Sequence, residues 1–177
     1  MNTIRILEKD FVPYLSASDI EIQIARLGAE LTRDYADKKP LFISILNGSF
    51  MFSADLFRTI KFEAEICFIK LASYKGTKSS GHVITSIGLD IAVKDRHVII
   101  LEDIVDTGKT LATFLPQLEH QHPASMAICA LLHKPEATVF DVGVNYIGFS
   151  IPNRFVVGYG LDYDGWGRNI PEIYQLT

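Results

Sequence analysis

"IILEDIVDTGKT", residues 99–110, is the stretch on which the reading of the chain turns. An apolar run, Val98-Ile99-Ile100-Leu101, reads as a buried strand and stops at two acids, Glu102 and Asp103. A third acid, Asp106, follows, and Thr107-Gly108-Lys109-Thr110 then opens a helix expected over residues 109–120. An apolar strand feeding a helix through a short turn is the unit from which parallel sheets are built.

The turn matches neither of the two common phosphate patterns. A Walker A loop needs its first glycine where this chain has Asp103, and no G-x-G-x-x-G run is present here. The start of a helix nevertheless attracts an anion through its free N–H groups and its dipole. Gly108 lets the backbone come close, and Thr107 and Thr110 add hydroxyl donors, so residues 107–110 suit one phosphate monoester. The acids then need another partner. Carboxylates accept hydrogen bonds from sugar hydroxyls and support Mg²⁺ through water. A ligand with a phosphate at one end and a diol nearby is a ribose 5-phosphate. Glu102 and Asp103 would take its 2- and 3-hydroxyls, and Asp106 would lie near the anomeric carbon.

Working outward, Ser18-x-x-Glu21 reads as a capping box ahead of Ile20, Ile24, Leu27 and Leu31 at helical spacing, which predicts a helix over 19–36. Strands are expected over 41–46, 65–72, 97–102, 125–132, 146–149 and 155–158, with a shorter one over 83–87. A helix is expected over 50–60, a polar loop rich in Gly, Ser and Lys over 73–81, and a kink where Pro116 interrupts the helix over 109–120. This order predicts an α/β fold with a parallel sheet covered on both faces. In such sheets ligands sit beyond the carboxyl ends of the strands. Asn47-Gly48, residues 102–110, Lys134 and the loop after Phe155 thus share one rim.

The 177 residues suit one domain, and 48% hydrophobic with 21% charged content is that of an ordinary globular protein. A net charge of −4 argues against a nucleic-acid partner. Cys67 and Cys129 lie in apolar runs and read as small buried hydrophobes. No run is apolar for the length a membrane span needs, and the N-terminus shows no signal peptide, so no membrane partner and a cytoplasmic location are expected.

The two acids, two apolar residues, Asp106 and T-G-K-T together resemble the phosphoribosyl pyrophosphate signature of type I phosphoribosyltransferases. From about Leu41 to Arg168 the chain is similar to the 6-oxopurine branch, the hypoxanthine(-guanine) phosphoribosyltransferases. "LNGSFMFSADL" (46–56) resembles the first pyrophosphate loop, and Ser73-Tyr74 opens a loop that resembles the mobile catalytic loop. "ALLHKP" (130–135) carries the base-selecting lysine, and "FVVGYGLDYDGWGR" (155–168) resembles the segment over the base. The resemblance implies a type I phosphoribosyltransferase fold in one domain, 1–177. Its core would span about 38–150, with a small hood over the base site from the N-terminal segment and about 151–177.

It also implies roles. Asp106 is the general base; Glu102, Asp103, Thr107, Gly108, Lys109 and Thr110 hold the phosphoribosyl end; Asn47, Gly48, Ser73, Tyr74 and Arg168 meet pyrophosphate. Lys134 reads the 6-oxo group, Phe155 stacks on the purine, and the backbone at Val156 and the region of Asp162 meet the base edge. Glu102, Asp103 and Asp162 support Mg²⁺. Substrates would be phosphoribosyl pyrophosphate and a 6-oxopurine, with hypoxanthine, guanine and xanthine all open. The assembly would be a homodimer or homotetramer, for which the apolar Phe50-Met51-Phe52 cluster is a second motive.

Two departures stand out. Neutral Asn47 replaces the Lys or Arg common in the family, leaving the Gly48 and Ser49 backbone to meet pyrophosphate. Gly167 stands where a bulkier residue is common, with Trp166 beside it to fill the space. The five histidines receive no role. The rival readings are a nucleic-acid-binding regulator on the same fold, against which the charge argues, and a transferase for adenine or uracil, against which Lys134 and residues 155–162 argue.

Overall fold

The computed structural model of the chain describes residues 3–71 and 91–177, together with the backbone of 72 and of 84–87. Ser73, Tyr74 and the expected polar loop over 73–81 lie outside the described residues. In chain order the elements are β1 (Ile4–Ile6), β2 (Lys9–Leu15), α1 (Ala17–Tyr35), β3 (Leu41–Leu46), α2 (Phe50–Thr59), β4 (Glu65–Ala72) and β5 (Ile84–Ile87). They continue with β6 (His97–Val105), α3 (Lys109–Glu119), β7 (Ser125–His133), β8 (Tyr146–Ser150), β9 (Val156–Val157) and β10 (Ile173–Leu176).

The larger sheet runs β5-β4-β3-β6-β7-β8; its five strands from β4 to β8 are parallel, and β5 pairs antiparallel to β4 at one edge. Continuous apolar runs make sense here because helices cover both faces. Leu41, Ile43, Val98 and Ile100 pack with Leu111, Phe114 and Leu118 of α3. Phe42, Ile99 and Leu101 point the other way, onto Ile24, Leu27, Phe52 and Leu56 of α1 and α2. Phe52 is therefore a core residue, and of the Phe50-Met51-Phe52 cluster only Phe50 is exposed. Cys129 is buried, whereas Cys67 is only half-buried.

Three local readings need correction. The capping box of α1 is Ser16 with Asp19, so the helix starts at Ala17; the Ser16 side chain accepts from Asp19 N, and Asp19 Oδ2 accepts from Ser16 N. Two overlapping Ser-x-x-acid patterns compete, and the earlier pair satisfies the first free amides. Strand β6 does not end at the acids. Glu102 pairs with Ala130, Ile104 with Leu132 and Val105 with His133, so Glu102 and Asp103 lie within a ladder-bonded strand. The strand expected over 155–158 shrinks to Val156–Val157 and is followed by β10.

A second, antiparallel sheet in the order β1-β2-β10-β9 joins the two chain ends. Ile6, Phe11, Val157 and Tyr174 form its own apolar cluster. Val156, Tyr159, Leu161 and Ile173 anchor it to the α1 and α2 layer. Among the described residues no helix is long and apolar enough to cross a membrane.

Candidate active site

Strand β6 delivers Asp106-Thr107-Gly108 to the N-terminus of α3. Gly108 has φ +76, and a Cβ there would lie 2.1 Å from the carbonyl oxygen of Phe140, so no other residue fits without movement. The loop is pinned from the other side, where Phe140 N and Val139 N donate to Thr107 O at 3.0 and 3.1 Å. The N-cap Gly108 offers no side chain, and only the Lys109 amide is engaged, by Thr107 Oγ1 at 3.4 Å, which leaves the amides that follow for an anion. A cavity of about 80 Å³ lies here, lined by Glu102, Asp106, Thr107, Gly108, Lys109 and Thr110 among others. Asp106 makes no capping bond to α3.

The two acids are held in contrasting ways. Glu102 is buried, and its Oε2 has no hydrogen-bond partner. Burial, reinforced by the neighbouring Asp103 charge, pushes its carboxyl well above the ordinary range. Burial likewise pushes Asp103 up to about 6, against the pull of the backbone amides of Ile104 and Asp103 and of the Arg168 charge. An unpaired buried carboxylate oxygen is costly. A sugar hydroxyl or a hydrated divalent cation would satisfy it. Among the described residues no three His, Cys, Asp or Glu side chains are grouped so as to hold a metal ion by themselves. The hard oxygen donors present therefore fit Mg²⁺ held by one or two carboxylates and by phosphates of a substrate.

A second cavity, of about 230 Å³, adjoins the first and is lined by Asp103, Asp106, Lys134, Phe155, Val156 and Asp162, among others. Lys134 is no solvated strand-end lysine. It is 6% exposed, and its Nζ donates to Asp106 Oδ2 at 2.8 Å. Nor is Phe155 core. It is 43% exposed, with Tyr163 edge-on at 5.8 Å and Phe11 tilted at 6.3 Å. Both oxygens of Asp162 are engaged, Oδ1 by Arg168 Nη2 at 2.7 Å and Oδ2 by the amide of Gly165 at 2.6 Å. Arg168 also donates from Nη1 to Gly160 O at 2.6 Å, so it is not a lone surface arginine.

Between β3 and α2 the Leu46-Asn47 peptide is cis, which no sequence pattern reveals. Asn47 is exposed, and Gly48 packs so tightly that a Cβ would fall 1.6 Å from Asp103 Oδ2. Beneath the loop the buried hydroxyls of Ser44, Ser49 and Ser53 bond one another, and Ser49 Oγ donates to Ile45 O, which anchors the start of α2. The structure thus brings Asn47, Gly48, residues 102–110, Lys134, Phe155, Asp162 and Arg168 to one rim. The pyrophosphate assignments to Ser73 and Tyr74 lie outside the described residues.

Trp166 does not fill the space beside Gly167, as it is 64% exposed. Ile6 already occupies that space, since a Cβ on Gly167 would meet Ile6 Cδ1 at 2.9 Å, and its φ of +93 favours glycine besides. Two residues near the site were not anticipated. Thr138 Oγ1 lies 3.0 Å from Lys134 O, 3.3 Å from Asp106 O and 3.2 Å from His133 Nε2, tying together the backbones that carry the Asp106–Lys134 pair. Tyr159 sits in a run of left-handed backbone. The only sequence signal for it is its place between Gly158 and Gly160.

A family model described as the phosphoribosyl transferase domain matches residues 14–164. The chain is 42% identical over 165 residues to the hypoxanthine phosphoribosyltransferase of Buchnera aphidicola subsp. Schizaphis graminum, covering 92% of this chain and 93% of that one. It is 43% identical over 174 residues to the hypoxanthine-guanine phosphoribosyltransferase of Streptococcus pneumoniae, covering 97% and 96%. Its structure is similar to that of a hypoxanthine phosphoribosyltransferase from Staphylococcus aureus, with a TM-score of 0.89, 39% identity, and 94% and 91% of the two chains covered.

Proposed function

The chain belongs to the phosphoribosyl transferase family, and we infer that it joins hypoxanthine or guanine to phosphoribosyl pyrophosphate in purine salvage. The products are the nucleoside 5′-monophosphate and pyrophosphate. The observation that carries this reading is the bond from buried Lys134 to the half-exposed Asp106, which lines both the second cavity and the phosphate cradle. An ammonium suits a 6-oxo acceptor and rejects an adenine amino group, and a carboxylate beside it suits a ring N–H.

The position of each residue supports a role for it. The amides at residues 108–110 and the hydroxyls of Thr107 and Thr110 bind the 5-phosphate. Glu102 and Asp103 accept from the ribose hydroxyls. Lys134 donates to the purine 6-oxo oxygen while Phe155 offers its open face and Val156 its backbone. Asp106 takes the N7 proton, or shares it, as a purine nitrogen bonds to C1 of the ribose and the C1–oxygen bond to pyrophosphate breaks. Gly48 and Arg168 meet the departing pyrophosphate; Asn47 contributes no charge. Glu102, Asp103 and Asp162 would support Mg²⁺ through water, with the substrate's own oxygens as its direct ligands, and the ion when bound would supply charge neutralisation at the leaving group.

We further propose one domain in which the larger sheet with its helices is the core and the small antiparallel sheet is the hood. The location is cytoplasmic. The assembly is a homodimer or homotetramer, supported by the exposed ring of Phe50; sedimentation of active protein as a monomer alone would end that proposal.

The decisive test supplies phosphoribosyl pyrophosphate with hypoxanthine, guanine, xanthine, adenine and uracil in separate reactions, with Mg²⁺ and again with a chelator. Mg²⁺-dependent nucleotide from hypoxanthine or guanine is expected. Product from adenine or uracil alone, or from no base, overturns the reading; in the latter case, salt-sensitive retention of RNA or DNA would favour a regulator.

A further inference from the structure

One bond outside the two cavities joins the hood to the core. Residues Gly158, Tyr159 and Gly160 have φ of 99, 48 and 98° in succession. The glycines accept this backbone freely, but a bulky residue at positive φ is uncommon and points to a constraint from its surroundings. Tyr159 is 5% exposed, its ring buried against the α1 and α2 layer, and its hydroxyl donates to Asp55 Oδ2 on α2 at 2.6 Å. The other oxygen of Asp55 faces Arg58 at 3.3 Å on the same helix. Burial and the Asp55 carboxylate both push the phenol's pKa up, so it stays a donor.

The bond lies where it can act on the site. Helix α2 begins directly after Asn47-Gly48-Ser49, and Gly160 directly follows Tyr159. A Cβ on Gly160 would stand 2.0 Å from Gly48 O, and Gly48 is itself pressed against Asp103. Arg168 Nη1 holds the Gly160 carbonyl from the hood side. The hood turn, the loop after β3 and the acid on β6 are thus stacked with no room for side chains between them, and the Tyr159–Asp55 bond clasps the outside of the stack.

We propose that Tyr159 is a positioning residue, whose bond to Asp55 seats the hood turn on the Gly48 loop and thereby sets affinity for the pyrophosphate end of phosphoribosyl pyrophosphate. This rests on the reading that Gly48 and Arg168 meet pyrophosphate. Lys134 and Phe155 share no hydrogen bond with Tyr159 or Asp55, so purine recognition is not what the clasp controls.

Phosphoribosyl pyrophosphate is titrated calorimetrically with Mg²⁺ into the unchanged chain, Tyr159→Phe, Asp55→Ala, Asp55→Asn and the Tyr159→Phe/Asp55→Ala double variant, and KM for hypoxanthine is measured for each. A hydrogen bond to a charged group predicts about tenfold weaker binding for Tyr159→Phe and for Asp55→Ala. The double variant should bind no more weakly than either single one, and Asp55→Asn, which keeps an acceptor oxygen, should recover most of the loss. Hypoxanthine KM should stay within about twofold in all of them, an insensitivity that general loosening of the fold would not produce. Phosphoribosyl pyrophosphate affinity within about twofold of the unchanged chain in Tyr159→Phe, or losses that add in the double variant, overturns the proposal. The unchanged chain's turnover, read separately, decides the functional reading: binding without nucleotide formation overturns that reading and leaves the titrations to judge the clasp. Absence of binding overturns both.

Discussion

Lys134 and Asp106 stand 28 residues apart in the chain, yet the ammonium of one donates to the carboxylate of the other at 2.8 Å. The lysine is the more deeply set, with its side chain 7% exposed against 45% for the aspartate. A ligand entering the cavity therefore meets a cation already oriented by its partner, and an acid with one oxygen still unengaged by Lys134.

Replacing Lys134 by Gln removes the charge but keeps a donor of similar reach. KM for hypoxanthine should rise about tenfold or more, the worth of a charged hydrogen bond, while KM for phosphoribosyl pyrophosphate changes little. Steady-state kinetics with each substrate varied in turn gives the ratio, and equal losses for both substrates would make Lys134 a structural residue.

Asp106→Asn should lower kcat by roughly 10²–10⁴-fold, the usual range for a general base. Binding of phosphoribosyl pyrophosphate should persist, because the phosphate cradle is built from backbone amides and threonines. Single-turnover rates alongside equilibrium binding separate the two effects, and undiminished turnover would remove Asp106 from the chemistry.

Gly108→Ala places a Cβ against the Phe140 carbonyl at a φ of +76. The strain is on the order of 1–3 kcal/mol. It should appear as a lowered Tm and as weaker binding of inorganic phosphate and phosphoribosyl pyrophosphate. A variant with the affinity and Tm of the parent would show that the loop relaxes freely.

Glu102 gives a prediction about stability and pH. Its carboxyl is raised above the ordinary value in the folded chain, so folding favours its protonated form. The ligand-free protein then loses stability as pH rises above the unfolded carboxylate value, until the raised value is passed. Glu102→Gln removes that loss. In chelator and without substrate, its Tm at pH 7 should exceed the parent's by about 2–4 °C, corresponding to about 1 kcal/mol, while its affinity for phosphoribosyl pyrophosphate falls. Thermal melts across pH 4.5–8 check the sign, and a lower Tm for the variant at pH 7 would refute it.

Much of the core was legible because its strands are short, apolar and cleanly bounded. Leu41–Leu46 and Glu65–Ala72 stand where they were read. The acids were placed at a strand end because polarity normally marks one. Here the ladder with β7 continues past them, since the ligand side of the sheet is where carboxylates can be kept. The small sheet was illegible for a different reason. Strand β2 contains Lys9, Asp10 and Pro13, and its apolar partners Val157 and Tyr174 come from the far end of the chain. Tyr159 and Asp55 are separated by 104 residues, and nothing in either neighbourhood names the other. The cis peptide before Asn47 leaves no mark on composition at all.

The extension of β6 through Glu102 and Asp103 divides the site into parts of unequal freedom to change. The groups proposed to face the sugar are fixed in a hydrogen-bonded ladder at the centre of the sheet, where moving one residue shifts the register of its neighbours. Of those proposed to face the base, Lys134 and Asp162 lie in turns outside the strands, where substitutions disturb no ladder, while Phe155 directly precedes β9. A shift from one purine to another would therefore fall on the turn after β7 and on the turn from 162 to 166, and not on Tyr159 and Gly160, which are packed against the core. The chemistry of the ribosyl carbon can stay as it is while the choice of nucleobase drifts, which makes this scaffold a natural starting point for engineering transfer to unnatural bases.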